Sequence, residues 1–238
     1  MLRVLRLLPG AMFQLVLTHL PAEAGVLLRR AYYTPRFASC GRDLTILPGV
    51  VLTGLDQMAF GDNVMIRENA ILHAGSGARD DPRDIRCVGP SPAAGEPQLV
   101  VGNDSRIAFA ALLLAYGGVR IGEKCGVGPG SVVLSESYHH KGSDPNRIYK
   151  YSQGARPEEQ CVLRGMVRLE NGAGIASNVI VLPGAHVGRD SWVGPNSVVR
   201  VGGRVPRDVI AKGDPAAVVF KRTYGRADGG PAKPTPRP

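Results

Sequence analysis

Aromatic residues make up only 5% of this 238-residue sequence, tryptophan occurs once, and the four cysteines stand far apart. With no C-x-x-C pair among Cys40, Cys87, Cys125 and Cys161, no disulfide framework or zinc pattern is encoded, and reduced thiols in a cytoplasmic protein are expected. The apolar segment Met12 to Leu20 is too short and too polar to span a bilayer. Helix-turn-helix and RNA-binding aromatic signals are missing as well, which sets nucleic acid aside as partner of a chain with net charge +9. That charge suits an anionic ligand such as a nucleotide-bearing cofactor, or a membrane surface.

What is abundant is glycine, at 31 residues, and proline, at 19, beside a hydrophobic content of 44%. These numbers favour turns around a real core over a helix bundle. From Leu169 an aliphatic recurs every six residues, at Ile175, Val181, Val187, Val193, Val199 and Val205. A helix would space them by three and four, and a half-buried strand by two. Pro183-Gly184 and Pro195-Asn196 fall two and three residues past their aliphatic. There proline sets φ for the first turn position, and glycine or asparagine tolerates the left-handed conformation at the next. Each unit is thus a short strand and a corner, and such units bury their aliphatics only by stacking into a solenoid.

The same phase holds at Ile46 and Leu52, slips by two across Leu55-Asp56-Gln57, and resumes at Phe60, Ile66 and Leu72. It recurs at Val101, Ile107 and Leu113, slips by two across Tyr116-Gly117-Gly118, and continues through Ile121, Val127 and Val133. The repeat therefore fills 37–222, with the polar segments 75–98 and 140–163 thrown out as loops. Residues 1–36 are basic and apolar and predict one or two helices, interrupted at Pro9-Gly10, that cap the open end of the stack. A signal-peptide-like start and a weak membrane-surface contact through the Arg/Leu face are the alternatives for this segment. The tail 223–238 lacks apolar content and is expected to be disordered.

In these residues the chain resembles the hexapeptide-repeat acyltransferases, and within them the sugar and polysaccharide O-acetyltransferases of the maltose and galactoside acetyltransferase type. The resemblance covers about Cys40 to Arg222 and is strongest in Ile180 to Gly188, in Val193 to Val199, and in the closing segment Val205 to Ala216. It implies an all-β, left-handed parallel β-helix, a homotrimer with active sites between copies, and acetyl-CoA as co-substrate with no metal. The left hand comes from the resemblance alone, since parallel crossovers are in general right-handed. A cytoplasmic protein, peripheral at the inner face of the membrane through its N-terminus, is the implied location.

Moving an acetyl group from a thioester to a sugar hydroxyl needs a base for the hydroxyl proton, and histidine is suited to it. His139 and His140 stand where the repeat ends and the second loop begins, the juncture at which the resemblance places the catalytic histidine. His139 is favoured, with Glu136 or a loop carbonyl to orient it. Asn69 matches a position that contacts acceptor and reaction centre, although asparagine at a turn is also ordinary. The resemblance lays the pantetheine arm near Ser177 and Pro195 and gives the phosphates Arg200, Lys221 and Arg222, with Arg204 and Lys212 nearby. Gly174, Ala217 and Phe220 depart from the usual residues at the cofactor end. Two other classes remain: a non-catalytic scaffold in polysaccharide assembly, and a metal-dependent lyase of the carbonic anhydrase type using His73, His139 and His140.

Overall fold

The computed structural model describes residues 2–75, 81–152 and 154–222, without the side chains of residues 2–9 and 11. The tail 223–238, for which disorder is expected, lies outside the described residues. Three parallel sheets dominate the molecule. The chain visits them in a constant order, as in Ser39–Cys40 (sheet I), Thr45–Ile46 (sheet II) and Val51–Thr53 (sheet III), then Met58–Phe60, Met65–Ile66 and Ile71–His73. Sheet I has seven strands, sheet III six and sheet II eight, the last being the antiparallel Ala217–Lys221.

Successive turns pair in register, so the six-residue phase becomes a column. In sheet II, Ile46, Ile66, Ile107, Val127, Ile175, Val193 and Ala211 are consecutive neighbours across the strands. All are at most 3% exposed. The aliphatics of the repeat thus share one continuous core, with only Leu52 partly exposed. The two slips are accommodated as expected, by a 3-10 turn at Leu55–Gln57 and by a turn at Tyr116-Gly117-Gly118.

Corners between sheets need a left-handed residue, and they have one. Gly49, Asn69, Ala110, Gly130, Asn178 and Asn196 all show φ from 54° to 74° where sheet II turns into sheet III. Small residues two before the aliphatic are buried too, and four of them are serines. Their hydroxyls satisfy corner backbone groups that no strand can reach: Ser105 Oγ donates to Gly122 O at 2.8 Å, and Ser131 Oγ to Ala176 O at 2.7 Å.

Two helices precede the stack, α1 (Leu2–His19) and α2 (Ala22–Tyr33). The expected break at Pro9-Gly10 does not occur; α1 runs through it, because a proline removes one backbone donor and an eighteen-residue helix retains the rest. The break falls instead at Leu20-Pro21. Arg29, 1% exposed, fastens this cap: its Nε donates to Ile46 O at 2.7 Å and its Nη1 to Leu17 O and Leu20 O. Phe37 meets Phe60 edge-on at 4.9 Å, closing the first turn of the core. No helix among the described residues is long and apolar enough to cross a membrane.

Candidate active site

Both irregular segments leave the stack at the same corner, between sheet III and sheet I. They are not loops throughout. Asp84–Cys87 runs parallel to Cys161–Arg164, which pairs antiparallel with Glu136–Tyr138, forming a fourth sheet of three strands. Sequence reading misses these strands because they are short, fall outside the six-residue phase, and pair with each other and not with the repeat.

A ring of alternating charges locks this small sheet. Arg83 binds Asp81 (Nε to Oδ1, 2.8 Å) and Glu136 (Nη1 to Oε1, 2.7 Å). Arg164 closes the ring, with Nη2 on Asp81 Oδ2 at 2.9 Å and Nε on Glu136 Oε2 at 2.7 Å. The four side chains are only 10% to 21% exposed. Asp81 is held down to about 2 by its hydrogen bonds from Arg83, against the desolvation that would raise it. The same partner carboxylates push Arg83 upward. Sequence reading missed the ring, since Arg164 lies 28 residues from Glu136 and 83 from Asp81.

The ring also corrects an expectation. Glu136 does not orient His139, because both of its oxygens are taken by Arg83 and Arg164. A loop carbonyl does so. His139 Nδ1 lies 2.9 Å from Lys141 O, and that carbonyl also accepts from Arg86 Nη1 at 2.8 Å. The Lys141 N–H lies 3.1 Å from the same ring nitrogen, an alternative open only when Nδ1 is unprotonated. With the proton on Nδ1, donated to the carbonyl, the Nε2 lone pair is free to act as a base. The chain leaves the repeat at Ser135, so His139 does not take the core-facing position that a further six-residue step from Val133 would give; it is partly exposed.

His140 is exposed, 4.6 Å from the His139 ring by centroid and stacked at 6.1 Å on Tyr151. The following turn is anchored by Asp84, whose Oδ2 accepts from Tyr149 Oη at 2.5 Å and from Ser143 N at 2.6 Å. These bonds lower Asp84 and raise Tyr149 from their ordinary values. Beside the small sheet a cleft of about 560 Å³ opens between Tyr116, Leu114 and Leu134 of the stack and Arg83, Ser137 and Tyr138 of the excursions.

The remaining predicted residues are not gathered around His139 within one chain. Asn69 is a corner residue with φ 58°, so the turn explains its backbone, while its amide bonds to nothing among the described residues. Ser177 and Pro195 stack at that same border of sheet III, where Asn196 N donates to Ser177 O at 3.1 Å. Arg200 pairs with Asp214 at 3.1 Å. Lys221 is exposed on the last strand, and Arg222 binds the corner carbonyls at a different border, its N donating to Asp208 O at 2.7 Å. His73 sits on sheet III in register with Leu114. Among the described residues no group of three or more His, Cys, Asp or Glu could hold a metal ion.

No family model and no curated protein matches the sequence. Solved structures do match. A point mutant of AntD, an N-acyltransferase from Bacillus cereus, in complex with dTDP and coenzyme A, aligns at 18% identity over 82% of this chain and 89% of its own, with a TM-score of 0.62. The acetyltransferase VCA0836 from Vibrio cholerae O1 biovar eltor, in complex with acetyl-CoA, aligns at 17% over 90% and 85%, TM-score 0.54. The chain shares its fold with these two structures, the second of which is a hexapeptide-repeat-containing acetyltransferase. At these identities the likeness extends to architecture, an all-β stack of parallel sheets with few helices, and the neighbours are structures holding coenzyme A or acetyl-CoA.

Proposed function

We propose that this protein is an acetyl-CoA-dependent O-acetyltransferase acting on a saccharide or glycolipid hydroxyl, on a left-handed coil, with His139 as general base. The observation that carries this reading is the His139 imidazole, tied through Nδ1 to Lys141 O and leaving Nε2 for the reacting hydroxyl. In this scheme Nε2 takes the hydroxyl proton as the oxygen attacks the thioester carbonyl. The C–S bond then breaks, and the proton passes to the thiolate, giving an ester and free coenzyme A.

A homotrimer supplies what one chain lacks. The outer side of sheet III carries an in-register column of Val51, Ile71, Leu112, Val132, Ile180 and Val198. Three of these are more than a third exposed. An apolar column of this length favours burial against another copy. His139 flanks one border of this sheet and the Ser177–Pro195 corner flanks the other. A second copy on sheet III therefore brings that border toward the first copy's His139, with Asn69, three strands from Ser177 along the same border, able to hold the acceptor. In this assembly the pantetheine arm follows Ser177 and Pro195, and Arg200, Lys221 and Arg222 serve the phosphates.

A second reading, acyl transfer to a sugar amine, is favoured by the AntD structure holding dTDP-4-amino-4,6-dideoxyglucose with coenzyme A. A free thiol assay with acetyl-CoA against neutral sugars, nucleotide sugars and amino sugars separates the two. Thiol release with hydroxyl acceptors supports O-acetylation, release with amines alone replaces it by N-acylation, and absence of both with a failure to bind coenzyme A leaves a scaffold. A peripheral membrane contact by α1 is retained as part of the proposal, on the exposed Met12, Phe13, Leu15 and Val16.

A further inference from the structure

The outward side of sheet I carries a column of three arginines and a histidine. Arg120 pairs in register with Arg168, Arg168 with His186, and His186 with Arg204. At the ordinary strand spacing, Arg168 and Arg204 stand about 10 Å apart. Like charges on facing positions of neighbouring strands repel, so nothing in the fold requires this column. Two members have partners within the chain: Arg120 with Glu96 at 3.1 Å, and His186 with Glu170 at 2.8 Å. The side chains of Arg168 and Arg204 are exposed and make no hydrogen bond or ion pair among the described residues, although, beside the hydrogen bond from the Ala93 N–H, the Arg168 charge helps to lower the Glu96 carboxyl.

A groove of about 590 Å³ lies against the column, lined by Arg120, Arg168 and Arg189 together with Glu96, Glu170 and Asn171. This mixture selects among anions. The two carboxylates would repel a dense row of phosphates, yet with Asn171 they accept well from hydroxyls, each carboxylate having about four acceptor sites. The groove lining contains no aromatic ring on which a base could stack, and the column's His186 imidazole is tied to Glu170 at 2.8 Å. Sparse negative charge on a hydroxyl-rich chain meets all of these conditions.

We propose that the outer face of sheet I binds an anionic polysaccharide, with its carboxylates on Arg168 and Arg204 and its hydroxyls on Glu96, Glu170 and Asn171. This binding goes beyond the acyl-transfer reading, because it needs no chemistry at His139. Isothermal titration calorimetry of the full chain at low salt tests it, with four probes: oligogalacturonate, its fully methyl-esterified form, inorganic phosphate, and a single-stranded oligonucleotide of matching charge. Oligogalacturonate is expected to bind and the uncharged ester not to. The paired substitution R168A/R204A should weaken binding about tenfold or more, with R168K/R204K retaining part of it. Both pairs are surface changes, and an unaltered melting temperature shows that the fold persists. Equal binding of the ester, tighter binding of phosphate or oligonucleotide, or indifference to both pairs overturns the proposal. Loss of thioester cleavage with glycan binding intact would count against the acyl-transfer reading alone.

Discussion

The imidazole of His139 is held by the backbone of Lys141, two residues further along, at 2.9 Å. The carbonyl that holds it is itself fixed by Arg86 from the other excursion. A ring oriented by a main-chain group needs no acidic partner, which accounts for Glu136 being spent elsewhere.

Replacing His139 by alanine should lower kcat by about 10²–10⁴-fold while leaving the KM for acetyl-CoA near its starting value. His140→Ala, at the exposed neighbour, should retain most of the turnover. Steady-state kinetics of both variants decide the matter, and the reverse ranking would move the base to His140.

Asp81 links the excursions to acid. Its carboxyl is depressed from 3.8 to about 2 in the folded chain, so its stabilisation is complete above pH ~4 and is lost as pH falls toward 2. The effect amounts to roughly 1–2 kcal/mol after allowing for solvent at the rim. Hydrogen exchange should show Glu136–Tyr138 and Cys161–Arg164 loosening in that window while sheets I to III stay protected. Asp81→Asn should show the loosening already at neutral pH.

Burial pushes the Cys125 thiol up to about 11, and Cys161 is raised for the same reason. Neither offers a thiolate at neutral pH. The pair C125A/C161A should therefore keep its turnover, and mass spectrometry of the protein mixed with acetyl-CoA alone should find no acetylated cysteine. An acetyl-thiol adduct would require a covalent mechanism instead of direct transfer.

The apolar column on sheet III makes the assembly testable. I71E/I180E places two charges on that face without touching the core, since both residues are exposed. Sedimentation should show a shift from trimer to monomer with unchanged circular dichroism, and activity should fall with it. A monomer of full activity would put the whole site within one chain.

Asn69→Gly separates two roles of one residue. Glycine keeps the left-handed corner at φ 58° and removes only the amide. Unchanged thermal stability with a raised acceptor KM is expected. Unchanged kinetics would reduce Asn69 to its corner.

The sequence by itself determined the coil. Inward aliphatics at a six-residue interval, Pro-Gly and Pro-Asn corners, and two matching slips leave stacked strand-and-corner units as the arrangement that buries every aliphatic at once. That constraint is local and repeated, so it is legible from Ile46 to Val205 without knowing any long-range contact. It also marked the exits at Leu72 and Val133 and the histidines beside the second. The contents of the excursions were decided only in three dimensions. Asp81, Arg83, Glu136 and Arg164 meet because two separate segments leave at one corner, and no period in the chain encodes that meeting. The faces of the coil were likewise invisible: Arg120, Arg168 and Arg204 look like scattered surface charges until register stacks them, one turn above another, into a single column.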